Sequence, residues 1–492
     1  MYLNKETVTK LPDTIKKNKA VQRPPAAVMH FGVGGFHRSH QAYALQQLLQ
    51  LDPVKYAEWS ICGICIMPSD KAFVERVKQQ DLLYSLRICA SGTKEEVMVV
   101  DAITELLFGP EQQNEIIHRI AAASTKLISF TITEGGYNID EASGAFNLQQ
   151  AEILNDLQPA NAAKTVFGFL ARGLQKRMSS DGGPITLLSC DNIQGNGDVL
   201  KLALYSFVNA YDASLITYLD QQVSFPNCMV DRITPVTTAA DRALLETAYG
   251  YKDDCLVVCE PFFQWVIEKE KNVQLPPLEL VGVDLVEDVK AYESMKLRIL
   301  NGGHSLTGLT GKAMGYQFIH DAVQDPTIAV LFDLYNVKEV HPSLEPLPGV
   351  DYAAYAAKVK SRFANALIND STDRIISGST AKIPKFVLPV IQHQVSKGIK
   401  PVTGALIVAA WWHYLDTQIG SGTAIDDPAA PEWKQLFREN ADDTLSAFLG
   451  KQDLFGELSL NTLFCEQVQL FAALIRKHDM LYACEQAIKS LQ

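Results

Sequence analysis

Residues 26–36 read AAVMHFGVGGF, and this stretch decides the fold. Its first six residues form an apolar run that is typical of a buried β-strand, its glycines indicate a turn, and a helical pattern runs from about residue 38 to about residue 50. Glycine lets a phosphate approach the backbone closely, and a helix that follows presents free N–H groups to an anion. The turn is therefore a candidate site for the pyrophosphate of a dinucleotide. Because the third glycine of the usual fingerprint is missing, a plain strand-to-helix turn stays open as the alternative.

The chain continues with alternating strand and helix patterns. Predicted strands cover residues 59–66, 96–101, 126–133 and 185–190, and predicted helices cover residues 71–80, 111–123 and 162–178. Alternation of this kind predicts a doubly wound, mainly parallel sheet with helices on both faces, which is a Rossmann-type α/β architecture.

The second part of the chain has a different pattern. After about residue 286 the alternation stops, and helices are predicted at 286–300, 306–320, 352–367, 404–415 and 462–488. The segment 404–415, which contains Trp411 and Trp412, is a predicted core helix. We therefore expect a Rossmann-type dinucleotide-binding domain over residues 1–285 and a mostly α-helical substrate domain over residues 286–492.

Composition limits the class of partner. The chain has 492 residues and a formal net charge of −12, so no basic excess is present to neutralise nucleic-acid phosphates. The longest apolar run, residues 405–412, is far too short to span a bilayer, and no apolar secretory segment opens the chain. Nine cysteines, several in strand-like segments, suit reduced thiols in a core. These features favour a cytoplasmic protein with a small-molecule partner and no membrane or nucleic-acid contact.

A second stretch suggests chemistry. Residues 295–304 read MKLRILNGGH. On a helix, at about 100° per residue, Lys296, Asn301 and His304 fall within an arc of roughly 140°. A base, an amide and an imidazole on one face suit the removal of a proton from an alcohol, provided that burial or a cationic neighbour lowers the lysine pKa. The alternative is an ordinary solvated lysine on a helix surface.

Six motifs in one order resemble the polyol-specific long-chain dehydrogenases. They are GVGGFHRSHQ at 32–41, TITEGGY at 131–137, SCDN at 189–192, FPN at 225–227, VDRITP at 230–235 and the stretch at 295–304. The resemblance implies a monomeric enzyme that interconverts a polyol and its 2-ketose with NAD, with D-mannitol and D-fructose as the expected pair. A pentitol such as arabinitol and a hexuronate such as fructuronate or mannonate stay open as substrates. From a different class, a non-catalytic dinucleotide sensor stays open as well.

The resemblance also implies roles for individual residues. Lys296 matches the general base, Asn192 and Asn301 match amides that polarise the reacting oxygen, and His304 matches a residue that holds the substrate. Three further charged residues match positions near the substrate, namely Asp231, Arg374 and Lys382. Gly303 departs from relatives that carry serine there, and because two successive glycines weaken a helix, we expect the helix to be irregular at this point.

The expected cofactor site is formed by residues of two of these motifs together with Asp70. Its members are Gly32, Gly34, Gly35, Phe36, His37, Arg38, Asp70 and Glu134. Asp70 can accept hydrogen bonds from a ribose diol and repel a 2′-phosphate, so NAD is expected; because Ser69 rather than a second acid precedes it, NADP stays possible. Glu134 is either part of a proton path or a solvated turn residue. The histidines of HRSH at 37–40 lack a third ligand at a recognisable spacing, so no metal is expected.

Overall fold

The computed structural model describes residues 1–18, 21–90, 95–140 and 143–492. The chain divides into two compact units, Met1–Lys290 and Ala291–Gln492. The strands all lie in the first unit: β1 Val28–Phe31, β2 Ile61–Cys65, β3 Tyr84–Cys89, β4 Glu95–Val100, β5 Ile103–Phe108, β6 Leu127–Phe130, β7 Ile185–Ser189, β8 Val223–Ser224, β9 Cys228–Asp231, β10 Val257–Cys259, β11 Gln264–Glu268 and β12 Asp284–Val286.

The main sheet has six parallel strands in the order β5-β2-β1-β6-β7-β8. All four residues of β1 are buried, as expected for a central parallel strand that is covered on both faces. The strand order reverses direction at β1, which is where a doubly wound sheet opens a crevice at the carboxyl ends of its strands. The predicted Rossmann-type architecture is confirmed.

Two smaller sheets accompany the main one, with the orders β10-β3-β4 and β12-β11-β9. The strand predicted at 96–101 exists as β4, but it pairs antiparallel with β3 and lies outside the parallel sheet. The sequence pattern did not indicate this because strand pairing is a long-range property.

The α-helices of the first unit connect and cover these strands. They span Gly35–Ser39, Gln41–Leu51, Lys71–Gln79, Gln113–Ala121, Ala151–Asp156, Val166–Ser179, Asn196–Tyr211, Leu215–Gln222 and Ala239–Tyr249. The single helix predicted from residue 38 is in fact two, which begin at Gly35 and Gln41 and meet at His40, whose backbone is not helical.

The second unit is helical throughout its described elements. Its α-helices are Lys290–Met295, which begins at the last residue of the first unit, Gly302–Ala313, Ile319–Gln324, Pro326–Tyr335, Tyr352–Phe363, Thr372–Ile376, Ser379–Phe386, Leu388–Ser396, Val402–Ser421, Ala430–Glu439, Thr444–Leu449, Gln452–Phe455, Thr462–Lys477 and Met480–Leu491. Two π-helices, Lys296–Asn301 and Asn336–Val340, interrupt the α-helical geometry. The helix predicted at 462–488 is two helices, because Asp479 caps the second one by accepting the Tyr482 N–H.

Trp411 and Trp412 are fully buried in the helix Val402–Ser421, as predicted. The nine cysteines are all free thiols, and Cys465 alone among them is partly exposed. Within the described residues no single helix is long and apolar enough to cross a membrane; one pair, Gln452–Leu460 with Thr462–Lys477, reaches the length and hydropathy only when joined across a bend of 106°.

Candidate active site

A cavity of about 700 Å³ opens at the carboxyl ends of β2, β1 and β6 in the first unit. Its wall includes residues 32–34 after β1, residues 65–67 at the end of β2 and directly after it, and residues 131–133 after β6. Other lining residues are Arg38, Asp70, Phe73, Gly135, Gly136, Asn138, Gln150, Glu152, Lys164, Thr165 and Val166. This position, at the reversal point of the strand order, is where doubly wound sheets bind their ligands.

The glycine turn is built for close backbone approach. Gly32 has φ +93, and a Cβ at this position would lie 2.1 Å from the Thr131 carbonyl oxygen, so no other residue fits without a shift of the backbone. A Cβ at Gly34 would meet nothing within 4 Å, so its backbone faces open space in the cavity wall. The turn therefore presents main chain to a ligand, which suits a phosphate group.

The predicted cofactor residues divide into two groups. Gly32, Gly34, Arg38 and Asp70 line the cavity. Among the described residues, the other four are chain neighbours of the lining rather than members of it: Gly35, Phe36, His37 and Glu134.

Phe36 and His37 face the protein interior. The His37 ring stacks on His30 at 3.4 Å between centroids, and burial, together with His30 and Arg38 nearby, lowers its pKa well below the usual value. Burial lowers the pKa of His30 to about 3, so this imidazole stays neutral and bonds Ser129 and Thr131. Phe36 packs on the ring of His40 at 5.0 Å.

Arg38 and Asp70 are each held in place by a hydrogen bond with the backbone. The Arg38 guanidinium donates to the Cys255 carbonyl at 2.5 Å and lies over the rings of Phe73 and Tyr84. The Asp70 carboxylate accepts the Met67 N–H at 3.1 Å, which fixes it directly after the strand, beside the cavity. Both placements suit recognition of a nucleotide, through phosphate and ribose respectively.

Asn192 and Asp231 also belong to the first unit. Asn192 is exposed and follows β7 by three residues, at the carboxyl edge of the main sheet. Asp231 is buried and ends β9. The residue before Asn192 is Asp191, whose carboxylate binds the loop after β6.

The second unit contains the candidate base. Lys296 is 7% exposed and begins the π-helix Lys296–Asn301, which Asn301 ends. Hydrogen bonds from i to i+5 place residues five apart one above the other, so these two side chains share a face. The irregularity expected at the glycine pair lies elsewhere: Gly302 and Gly303 begin a regular α-helix, and the departure from α-helical geometry is the π-turn directly before them. Turns of π-helix often occur at functional sites.

His304 lies one turn further along, 8% exposed, with its ring stacked on Phe363 at 3.8 Å. Burial lowers its pKa well below the usual value, and the nearby charges of Arg374, Arg362 and Lys382 lower it further. A neutral imidazole of this kind offers one donor and one acceptor nitrogen to a hydroxyl-rich ligand.

The two predicted substrate cations are therefore near His304. Arg374 forms a bidentate pair with Asp370, at 2.6 Å from Nε and 2.5 Å from Nη2. The Lys382 ammonium donates to the Ile375 carbonyl at 3.0 Å, and burial, with Arg374 nearby, lowers its pKa.

Gly303 lies where the neighbouring Phe332 ring leaves little room for a side chain. A Cβ at this position would lie 2.5 Å from Cε2 of Phe332. The Phe332 ring in turn packs edge-on against Phe363, at 5.9 Å between ring centroids, and the Phe363 ring stacks on His304. The glycine thus lets an aromatic pair support the imidazole.

Sequence reasoning missed several residues. Glu293 is buried one helical turn before Lys296, a spacing that was visible in the sequence. Phe363 stacks on the His304 ring, and the charge of Arg362 lies near it. Both residues belong to a separate helix, so no local sequence pattern indicates these contacts. Asp191 lay inside a quoted motif, but its role depends on the conformation of a distant loop.

The chemistry available in the second unit is proton transfer and hydrogen bonding. A buried amine, an amide and a neutral imidazole can accept a proton from a hydroxyl and orient its neighbours. In the described part of the chain, no group of three or more His, Cys, Asp or Glu side chains is arranged to hold a metal ion.

Comparisons with known proteins agree with this arrangement. Residues 26–280 match the family model of the mannitol dehydrogenase Rossmann domain, and residues 288–473 match that of the mannitol dehydrogenase C-terminal domain. The chain is 38% identical to the mannitol dehydrogenase DSF1 of Saccharomyces cerevisiae, over 90% of this chain and 86% of that protein. It is 36% identical to a mannitol 2-dehydrogenase of Aspergillus fumigatus, over 92% and 89%. The structure of Pseudomonas fluorescens mannitol 2-dehydrogenase with NAD and D-mannitol superposes with a TM-score of 0.89 at 33% identity, over 99% of this chain and 100% of that one.

Proposed function

The chain belongs to the mannitol dehydrogenase family, and from that membership we propose that it oxidises D-mannitol to D-fructose with NAD and catalyses the reverse reduction. The observation that carries the proposal is Lys296, a lysine buried on a π-turn with Asn301 on the same face. The similar P. fluorescens enzyme was solved with NAD and D-mannitol, which supports both ligands.

Lys296 is the proposed general base. When bound, NAD would accept the hydride that leaves the carbinol carbon of the substrate. Lys296 takes the hydroxyl proton, and the Asn301 amide donates a hydrogen bond to the oxygen as negative charge develops on it. From the sequence resemblance, we propose that Asn192 is a second amide donor and that Asp231 contacts the substrate. His304, Arg374 and Lys382 orient the hydroxyl groups of the substrate.

The first unit supports NAD binding through its cavity. The open backbone at Gly34 suits the pyrophosphate, and the carboxylate of Asp70 suits a ribose diol. We propose that Gly32, Gly34, Arg38 and Asp70 contact the cofactor directly and that Gly35, Phe36 and His37 support the turn. Glu134, exposed in the short helix Glu134–Tyr137, is proposed to border the cofactor.

The charges near His304 favour a neutral polyol over a hexuronate. Arg374 is already paired with Asp370, and Lys382 faces the carboxylates of Asp370, Asp427 and Asp426. Cations that already face carboxylates offer little to the carboxylate of a sugar acid, whereas they can still donate hydrogen bonds to hydroxyl groups.

The experiment is a substrate panel. Purified protein is incubated with NAD and D-mannitol, D-arabinitol or D-mannonate, and formation of the reduced cofactor is followed by absorbance. We expect the highest kcat/KM with D-mannitol, and the same rate after treatment with a metal chelator because a lysine provides the base. Binding of NADH without turnover of any polyol would favour the sensor alternative and contradict the proposal. Light scattering tests the further proposal that the protein is a monomer.

A further inference from the structure

The loop after β6 contains a strained residue in the wall of the cavity. Thr133 has φ 60 and ψ 168, a backbone region that is populated almost only by glycine. For a β-branched residue a positive φ is a clear outlier. Such a conformation persists only where surrounding groups hold it, and it is frequent at ligand sites.

The groups that hold it come from the end of the next strand. Oδ1 of Asp191 accepts the Thr133 N–H at 2.8 Å, and Oδ2 accepts the Ile132 N–H at 3.0 Å. The Tyr137 hydroxyl donates to Oδ2 at 2.6 Å and lies 2.5 Å from Oγ of Ser189. Asp191 is 8% exposed, so these bonds are shielded from water.

Further hydrogen bonds fix both the loop and Asp191 in place. On one side, the Thr131 hydroxyl donates to the Gly32 carbonyl at 2.7 Å, which joins the loop to the glycine turn. On the other, the Asp191 carbonyl accepts a hydrogen bond from the Asn196 side chain at 3.1 Å, which anchors the residue beside the end of β7. The carboxylate is therefore held in place while it accepts hydrogen bonds from two successive N–H groups, one of which belongs to the strained Thr133.

We propose that Asp191 is a positioning residue for the cofactor: its carboxylate holds Ile132 and Thr133 in the conformation that shapes the cavity wall. The proposal rests on the proposed function, since it assigns NAD to this cavity. Asp191 acts through the loop and does not itself take part in hydride or proton transfer. Its loss should therefore weaken cofactor binding far more than it slows turnover at saturating cofactor.

The first test is Asp191→Asn, assayed for NADH affinity by fluorescence titration. The amide replaces one acceptor oxygen with a donor that faces an N–H group, so at least one bond to a charged acceptor is lost, which corresponds to about tenfold to about a hundredfold in Kd. We expect kcat at saturating NAD to change by less than about threefold. An unchanged Kd in a folded variant overturns the proposal.

The strained residue provides a second, specific test. Glycine at position 133 adopts the observed backbone conformation without strain, so the loop depends less on the Asp191 carboxylate to keep it. In the Thr133→Gly background, the effect of Asp191→Asn on Kd should be several-fold smaller than in the wild type. Equal effects in both backgrounds would overturn the proposal. If Asp191→Asn does not fold, Tyr137→Phe removes a single hydrogen bond to the same carboxylate and is expected to raise the NADH Kd by about three- to tenfold. An unchanged Kd in Tyr137→Phe would then overturn the proposal.

A matched control distinguishes positioning from general destabilisation. Glu339 is a buried carboxylate of the second unit that accepts the Thr403 and Gly404 N–H groups. Glu339→Gln should change the melting temperature but leave the NADH Kd unaltered. If Glu339→Gln weakens NADH binding as much as Asp191→Asn, the effect is not specific and the proposal fails. If the wild-type protein binds no NADH, the proposed function is contradicted as well. If the wild type binds NADH and the Asp191→Asn variant binds it with the same Kd, only this inference is overturned.

Discussion

Replacing Gly303 by alanine tests whether the support of His304 is as tight as the structure indicates. The new Cβ would lie 2.5 Å from Cε2, 3.3 Å from Cζ and 3.5 Å from Cδ2 of Phe332. Ordinary carbon contacts are about 3.5–4.0 Å, so the ring or the helix must move. Overpacking of this kind costs about 1–3 kcal/mol, and the helix propensity of alanine returns up to about 1 kcal/mol. The net loss in the free energy of unfolding is therefore about 0–2 kcal/mol.

Gly420→Ala is the control, because a Cβ there would meet nothing within 4 Å in the helix Val402–Ser421. Propensity favours alanine in both variants, so the difference between them, about 1–3 kcal/mol, isolates the overlap with Phe332. At roughly 2–4 °C per kcal/mol for a domain of this size, Gly303→Ala should melt several degrees below Gly420→Ala in a calorimetric scan. Phe332→Leu should restore part of the loss. Equal melting temperatures for the two alanine variants would refute the packing argument.

Three further predictions concern charge and catalysis. Burial raises the pKa of Glu339 from 4.5 to about 7; the native state thus binds more protons than the unfolded state between these values, and the free energy of unfolding should fall as pH rises through this window. Denaturant unfolding at several pH values should show this fall in the free energy of unfolding for the wild type and not for Glu339→Gln. If the free energies of the two proteins change in parallel with pH, the prediction is contradicted. Asp70→Ala should lower the ratio of kcat/KM for NAD to that for NADP by about tenfold, since one repulsive charge is removed, and an unchanged ratio would argue against the ribose contact. Asn301→Ala should lower kcat by about 10²–10³-fold, the usual effect of losing one donor to a developing oxyanion, and a normal kcat in steady-state assays would remove that role.

Local patterns predicted the elements whose signals are local. The apolar run before Gly32 and the turn after it identified β1 and the cavity wall, because a buried parallel strand and a glycine turn each have a composition of their own. Asp70 and Arg38 were predicted for the cofactor site, and both line the cavity. The break near Asp479 was missed although an Asp before an apolar helix is a recognised cap.

Features that depend on tertiary contact were beyond such reasoning. The glycine pair indicated an irregular helix, but the π-turn from Lys296 accompanies the close approach of Phe332 to Gly303. The strain at Thr133 likewise reflects its bonds to Asp191, which lies far along the chain. Nothing in either segment alone predicts its partner, because long-range packing overrides local propensity.

The most direct test of the central claim is the steady-state oxidation of D-mannitol by the Lys296→Ala variant, with NADH affinity measured on the same preparation. Removal of a general base should lower kcat/KM by about 10²–10⁴-fold, while the NADH Kd stays that of the wild type. A variant that binds NADH normally and oxidises D-mannitol at a near-wild-type rate would contradict the assignment of Lys296 as the base.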